Sequence, residues 1–193
     1  MRNILVVLTI ISLMGCTKLP KLETYNIDIP HIKSKQKGNY RNKIIKVAYP
    51  KSLKESISQN MDFTYSSSER GSYQNSQWSN SLIQLIQGAT IELLANSNIY
   101  KAVIPITSTV SEDYILESTV YAFYHDLKNS KSKAIVSIEY RVIDSKDNRL
   151  IKTKRFSYSE DTPTIDAKGY ASATNRAMER LSGDLLRWLI RYI

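Results

Sequence analysis

The stretch Lys133–Asp144, KAIVSIEYRVID, alternates apolar and polar residues almost without a break. A strand points successive side chains to opposite faces. Ala134, Val136, Ile138, Tyr140 and Val142 therefore share one face, and Ser137, Glu139 and Arg141 share the other. One face on a core and one toward water is the pattern of an antiparallel sheet. Similar runs flank it, DYILESTVYAFYHDL before and RLIKTKRFSYS after, joined by KNSKS and SKDN turns. The spacing predicts an antiparallel meander over the C-terminal half.

The N-terminal half supplies shorter pieces. Tyr25, Ile27 and Ile29 alternate before Pro30, and KIIKVAYP at 43–50 places Ile45, Val47 and Tyr49 on one face. MDFTYSS, with Met61, Phe63 and Tyr65, and IYKAVIP read as further strands. Residues 52–58 read as a short helix, with Leu53 and Ile57 one turn apart. SSERGSYQNSQ is a loop by composition, Gly71 included, with Asn75 or Ser76 as cap of the helix that follows. That helix is expected over 77–95, with Trp78, Leu82, Leu85, Ile86, Ala89, Leu93 and Leu94 as its apolar stripe. A second helix is expected over 170–192, carrying Ala173, Ala177, Leu181, Leu185, Trp188 and Tyr192. The fold class is α/β: one domain, a mixed sheet with a C-terminal antiparallel meander, packed by two long helices.

Chemistry-bearing residues are sparse. The histidines are His31, in a lysine-rich segment, and His125, at a strand end. Neither has a cysteine or histidine at ligand spacing, so no metal and no cofactor is expected. His125 reads as a polar surface residue, with a His–Ser or His–Asp pair as the alternative. Glu112 and Asp113 are adjacent, and neighbours on a strand point apart. No glycine-rich phosphate loop is present. The expectation is a protein that is not an enzyme. Thirteen tyrosines stand against three phenylalanines. Tyr121, Phe123 and Tyr124 share one strand, with Tyr140, Phe156 and Tyr158 on the next two. They read as core edges or as a lipid- or subunit-contacting face.

The N-terminus carries an address. Met1-Arg2-Asn3 is a positive start, and Ile4 to Met14 is apolar but shorter than the roughly 18 residues needed to span a bilayer. Leu13-Met14-Gly15-Cys16 follows and resembles the bacterial lipobox, in which the cysteine thiol is acylated and becomes the new N-terminus. Cys16 is the single cysteine of the chain, which leaves no disulfide for an oxidising compartment. Residues 1–15 are then a lipoprotein signal peptide, 16–42 a lipidated tether with the first strand and a basic loop, and 43–193 the globular domain. Two or three acyl chains, at about 0.8 kcal/mol per buried methylene, anchor a protein stably. Thr17, in place of aspartate, is compatible by resemblance to enterobacterial sorting with the outer membrane and a periplasmic domain; the inner membrane is the alternative. The formal charge of +9 falls by one when Arg2 leaves. On an exported lipoprotein it points to anionic headgroups and not to nucleic acid. Lys33, Lys35, Lys37, Arg41, Lys43, Lys46, Lys51 and Lys54 form a run without acids, either a solvated linker or a basic collar on the membrane.

The order of these features resembles the ABC-type transport auxiliary lipoprotein family, partners of MCE-domain lipid transporters. Tyr25 and Ile27 match its early Tyr-x-Leu element, with Ile for Leu, and Trp78 and Leu82 match a Trp-x-x-x-Leu helix start. The family often carries an arginine after the tyrosine of the third strand, where this chain has Ser66. The resemblance implies a non-enzymatic adaptor of a phospholipid transport system. Its partners would be an MCE-domain protein and an ABC permease complex, with the adaptor itself in a homo-oligomeric ring. An outer-membrane activator of a peptidoglycan synthase and a carrier of a soluble ligand are the competing readings.

Overall fold

The computed structural model describes residues 21–28, 40–52, 58–128 and 131–192. Cys16, His31, Ile29, the lysines at 33, 35, 37 and 54, and the short helix expected around Leu53 and Ile57 lie outside them. The described residues form a mixed nine-stranded sheet with two helices.

The long strand β7 (Tyr114–Asp126) is its spine. On one side β8 (Lys133–Asp144) and then β9 (Arg149–Asp161) pair antiparallel, which is the meander read from the alternation. On the other side three short strands lie parallel to β7, one after another. β2 (Ile44–Val47) meets its start, β3 (Lys51–Ser52) its middle and β4 (Asn60–Thr64) its end. β6 (Ala102–Pro105) runs parallel beside β2. β5 (Arg70–Trp78) runs antiparallel to β4, and β1 (Glu23–Tyr25) lies parallel to β5.

Helices α1 (Leu82–Ser97) and α2 (Ala167–Tyr192) share one buried cluster with the sheet. Ala134, Val136, Ile138, Tyr140 and Val142 are buried in it, as the alternation predicts. The opposite face is polar. Arg141 bonds Glu139 at 2.7 Å and the Thr119 hydroxyl at 2.6 Å, while Arg155 reaches Glu139 from β9 at 3.3 Å. In α1, Leu82, Ile86, Ala89 and Leu93 fall on one stripe and are buried. The helix ends at Asn98, left-handed at φ 56°, a conformation that asparagine tolerates better than most residues. Among the described residues no helix is long and apolar enough to cross a membrane.

Three expectations are corrected. SSERGSYQNSQ is not a loop: residues 70–78 are strand β5, hydrogen-bonded between β4 and β1. Its composition misleads because Trp78 is the strand's one fully buried residue and Tyr73 packs against the core half-buried. A Cβ on Gly71 would sit 2.6 Å from Cζ of Phe63, so the glycine is where the Phe63 ring crosses the strand. α1 consequently starts at Leu82 and not at 77. Trp78 ends a strand, its N–H donating to the Gln59 carbonyl at 2.8 Å. Trp78 and Leu82 are both buried, so the Trp-x-x-x-Leu element straddles a strand-to-helix joint. Finally, Tyr49 and Tyr65 lie beyond the ends of β2 and β4 and are exposed, while Ile45, Val47 and Met61 are buried.

α2 begins three residues earlier than its apolar stripe indicates. Asp166 Oδ1 accepts from the Gly169 N–H at 2.7 Å and from the Thr164 hydroxyl at 2.7 Å, an N-cap arrangement. These bonds hold the Asp166 carboxyl below its ordinary range.

Candidate functional site

The end of β7 gathers the polar and aromatic groups that the fold leaves over. The register between β7 and β8 slips at Tyr121, since Val120 faces Ile138 while Ala122 faces Ser137. A bulge inserts one residue and exchanges the two faces beyond it. Leu116 and Val120 point to the core before the slip, Phe123 and His125 after it. His125 is therefore fully buried at 0 % exposure and is not a surface residue. An apolar set that changes parity at Tyr121 was the signal in the sequence.

His125 joins four elements. Its Nδ1 lies 2.7 Å from the Tyr73 hydroxyl of β5 and its Nε2 lies 2.8 Å from the Ser132 hydroxyl ahead of β8. Neutral imidazole has one donor and one acceptor nitrogen, so one hydroxyl donates and the other accepts. Ser132 in turn bonds the Thr162 hydroxyl beyond β9, and the Thr162 N–H donates to the Ser132 carbonyl at 3.0 Å. The imidazole stacks on Tyr170 of α2, with centroids 5.2 Å apart and planes within 4°. Tyr170 meets the edge of Trp78 at 5.6 Å, and Trp78 meets Phe123 at 5.8 Å.

Burial pushes the imidazole down to about 4, against the weaker pull of Asp166 and Asp126. The Ser132–His125 pair has the spacing of a nucleophile and base. A base with so low a pKa takes a proton poorly near neutrality, and a general base works best near the operating pH. Its second nitrogen meets a tyrosine whose own hydroxyl burial raises to about 12, where a hydrolytic triad places a carboxylate. Geometry and protonation both suit a clamp that holds β5, β7, α2 and the loops at 132 and 162 together.

Beside this clamp opens an apolar pocket of about 190 Å3, lined by Phe63, Tyr65, Tyr73, Leu127, Lys131 and Ile165. Phe63 meets Tyr65 and Tyr73 edge-on, each at 5.2 Å. Tyr65 and Ile165 form an exposed rim. Ile165 and Lys131 escape sequence reading because they come from connections without periodicity, and Leu127 lies one residue past the end of β7.

The other candidates are placed apart from it. Glu112 and Asp113 diverge at the far end of β7, to Lys46 at 2.6 Å and Lys43 at 2.8 Å. Each lysine holds its carboxyl below the ordinary range. Two lysines of the basic run are thus committed to ion pairs within the fold. Of the tyrosine cluster, Tyr140 and Phe156 are core, and Tyr158 donates to Asp184 at 2.5 Å. Tyr121 and Tyr124 lie under Arg155 and Arg70, with guanidinium carbons 3.4 and 5.1 Å from the ring centroids. Among the described residues no group of three metal-ligating side chains converges.

A family model described as the ABC-type transport auxiliary lipoprotein component matches residues 25–185. The chain belongs to that family. As a member it is an auxiliary lipoprotein component of an ABC-type transport system, a family of membrane-anchored proteins and not a known enzyme family. Solved structures share its fold. Protein XCC0632 from Xanthomonas campestris superposes with a TM-score of 0.78 at 18% identity, covering 86% of this chain and 94% of that one. An uncharacterized protein gives 0.67 at 11% identity, over 88% and 99%. The hypothetical protein CT253 from Chlamydia trachomatis gives 0.52 at 9% identity, over 78% and 96%. A comparison with curated proteins finds no match. For the auxiliary component, the pocket at the end of β7 is the concave surface where polar and aromatic groups converge.

Proposed function

We propose that this auxiliary component is a lipid-anchored periplasmic adaptor, without enzymatic activity, for an MCE-type ABC phospholipid transport system linking the inner and outer membranes. The match over residues 25–185 carries the reading. The sequence supports it: Leu13-Met14-Gly15-Cys16 offers Cys16 for acylation, and Thr17 is compatible with the outer membrane. The geometry is in keeping with it, because the serine and histidine that could have formed a hydrolytic pair are tied into the frame. A ring of copies engaging an MCE-domain protein and its permease is the assembly the resemblance implies.

The test is capture of the native protein from detergent-solubilised membranes, with mass spectrometry of what accompanies it. An MCE-domain protein and an ABC permease are expected. A cell-wall synthase recovered without any transporter subunit would overturn the proposal in favour of a synthase activator. Lipid recovered with no protein partner would favour a carrier. The anchor is tested separately: a Cys16→Ser variant should lose acylation and leave the membrane fraction, and its staying acylated there would refute that attachment point.

A further inference from the structure

The pocket end of the sheet collects exposed apolar side chains. Ile165 is 74% exposed, Tyr65 52% and Leu22 50%, which is half of the large exposed hydrophobic residues described. Ile165 and Tyr65 rim the pocket with Lys131, and Leu22 lines a neighbouring hollow with Lys21 and Lys168. Lys168 lies one residue into α2, three positions after Ile165, so the two hollows adjoin across the helix start. Lys21, Lys131 and Lys168 are exposed and form no ion pair among the described residues. The acids close by are largely engaged: Asp166 caps α2, Asp161 pairs with Lys133 at 2.7 Å and Glu23 accepts from Tyr25 at 2.5 Å, while Glu69 remains an exposed acid.

The direction of the chain says what covers this end. β1 lies parallel to β5, with Glu23 opposite Ser76 and Tyr25 opposite Trp78. β5 starts at Arg70, opposite Thr64, and Thr64 is opposite Asp126 at the end of β7. Going back from Glu23, the chain therefore heads toward that same end. Cys16 is separated from Lys21 by four residues, a span of roughly 18 Å at full extension.

We infer that this end of the domain rests on the lipid surface, with Ile165 and Tyr65 at the boundary of headgroups and acyl chains and Lys21, Lys131 and Lys168 at the lipid phosphates. The inference rests on acylation of Cys16. An apolar patch flanked by lysines, a tyrosine with an apolar body and a wet tip, and a short tether entering at the same place form one amphipathic contact. The basic run around Lys43 and Lys46 is excluded from it, because those lysines pair with acids at the other end of β7.

The test uses the full-length acylated protein in vesicles of phosphatidylethanolamine and phosphatidylglycerol. Acylated Cys16 has its sulfur in a thioether, so a cysteine introduced by Ile165→Cys is the reactive thiol for a polarity-sensitive fluorophore. Leu150→Cys, at an exposed position beside the β8–β9 turn, is the control. Blue-shifted emission at 165 that is lost with brominated lipid, and wet, unquenched emission at 150, is the expected result. Equal wetness at both positions overturns the inference. So does burial at 165 that follows protein density and ignores brominated lipid, which marks contact between copies. An N-terminal fragment with the mass of an unacylated Cys16 fails the anchoring proposal and this one together, whereas acylation with a wet 165 fails this one alone.

Discussion

At the scale of single residues, His125 sets a pH dependence. Its unfolded value is near 6.5 and burial in the fold lowers it to about 4. Between those values the unfolded chain binds more protons, so stability falls as pH drops from about 6.5 toward 4. The full contribution is on the order of 3 kcal/mol, from the size of the shift. Urea midpoints should decline between pH 7 and pH 4.5 in the parent and decline less in His125→Gln, whose amide still donates and accepts. Asp113 and Asp161, held down chiefly by their lysines, lose their contributions at lower pH and in both proteins alike. A decline of equal steepness in the two would remove His125 as its source.

At the scale of elements, the inserted residue in β7 shifts the parity of the sequence positions that face the core. Deleting Tyr121 would remove the bulge and restore simple alternation, with Phe123 and His125 still facing the core opposite Val136 and Ala134. Such a variant should keep the near-ultraviolet circular dichroism of the parent. Tyr121→Ser keeps the residue count and gives up the Arg155 contact, at a cost of about 1 kcal/mol or less in denaturant unfolding. Loss of that signal on deletion would show that the bulge itself, and not only the parity it sets, is needed for the packing. The same elements mark what could be read in advance. β8 was legible because five alternating core residues leave one strand orientation. β5 was not, because its conformation comes from the hydrogen bonds of β4 and β1, and one buried residue, Trp78, with a half-buried Tyr73 makes no pattern. His125 was misplaced by one inserted residue. The pocket rim at Tyr65, Lys131 and Ile165 comes from a strand end and two connections, where sequence carries no period to read.

At the scale of the molecule, one buried cluster runs from Trp78 to Trp188 and takes in both helices. A single core predicts a single unfolding transition. Trp78→Phe and Trp188→Phe variants each leave one indole as reporter. Each variant's indole fluorescence should report the same midpoint as its own far-ultraviolet signal. Midpoints that separate would divide the domain along β7. The three-residue strand β1 has a mechanical meaning as well. It runs parallel to β5, and the chain enters it from the pocket end. Tension on that leading segment pulls along the strand axis, so the ladder bonds are sheared together and are not peeled one at a time. The Ser79 N–H donating to the Tyr25 carbonyl at 2.6 Å and Asn175 of α2 bonding on both sides of Ile27 lie just behind as a second catch. A domain pulled through the segment that leads into β1 is thereby gripped where a steady tug is resisted best.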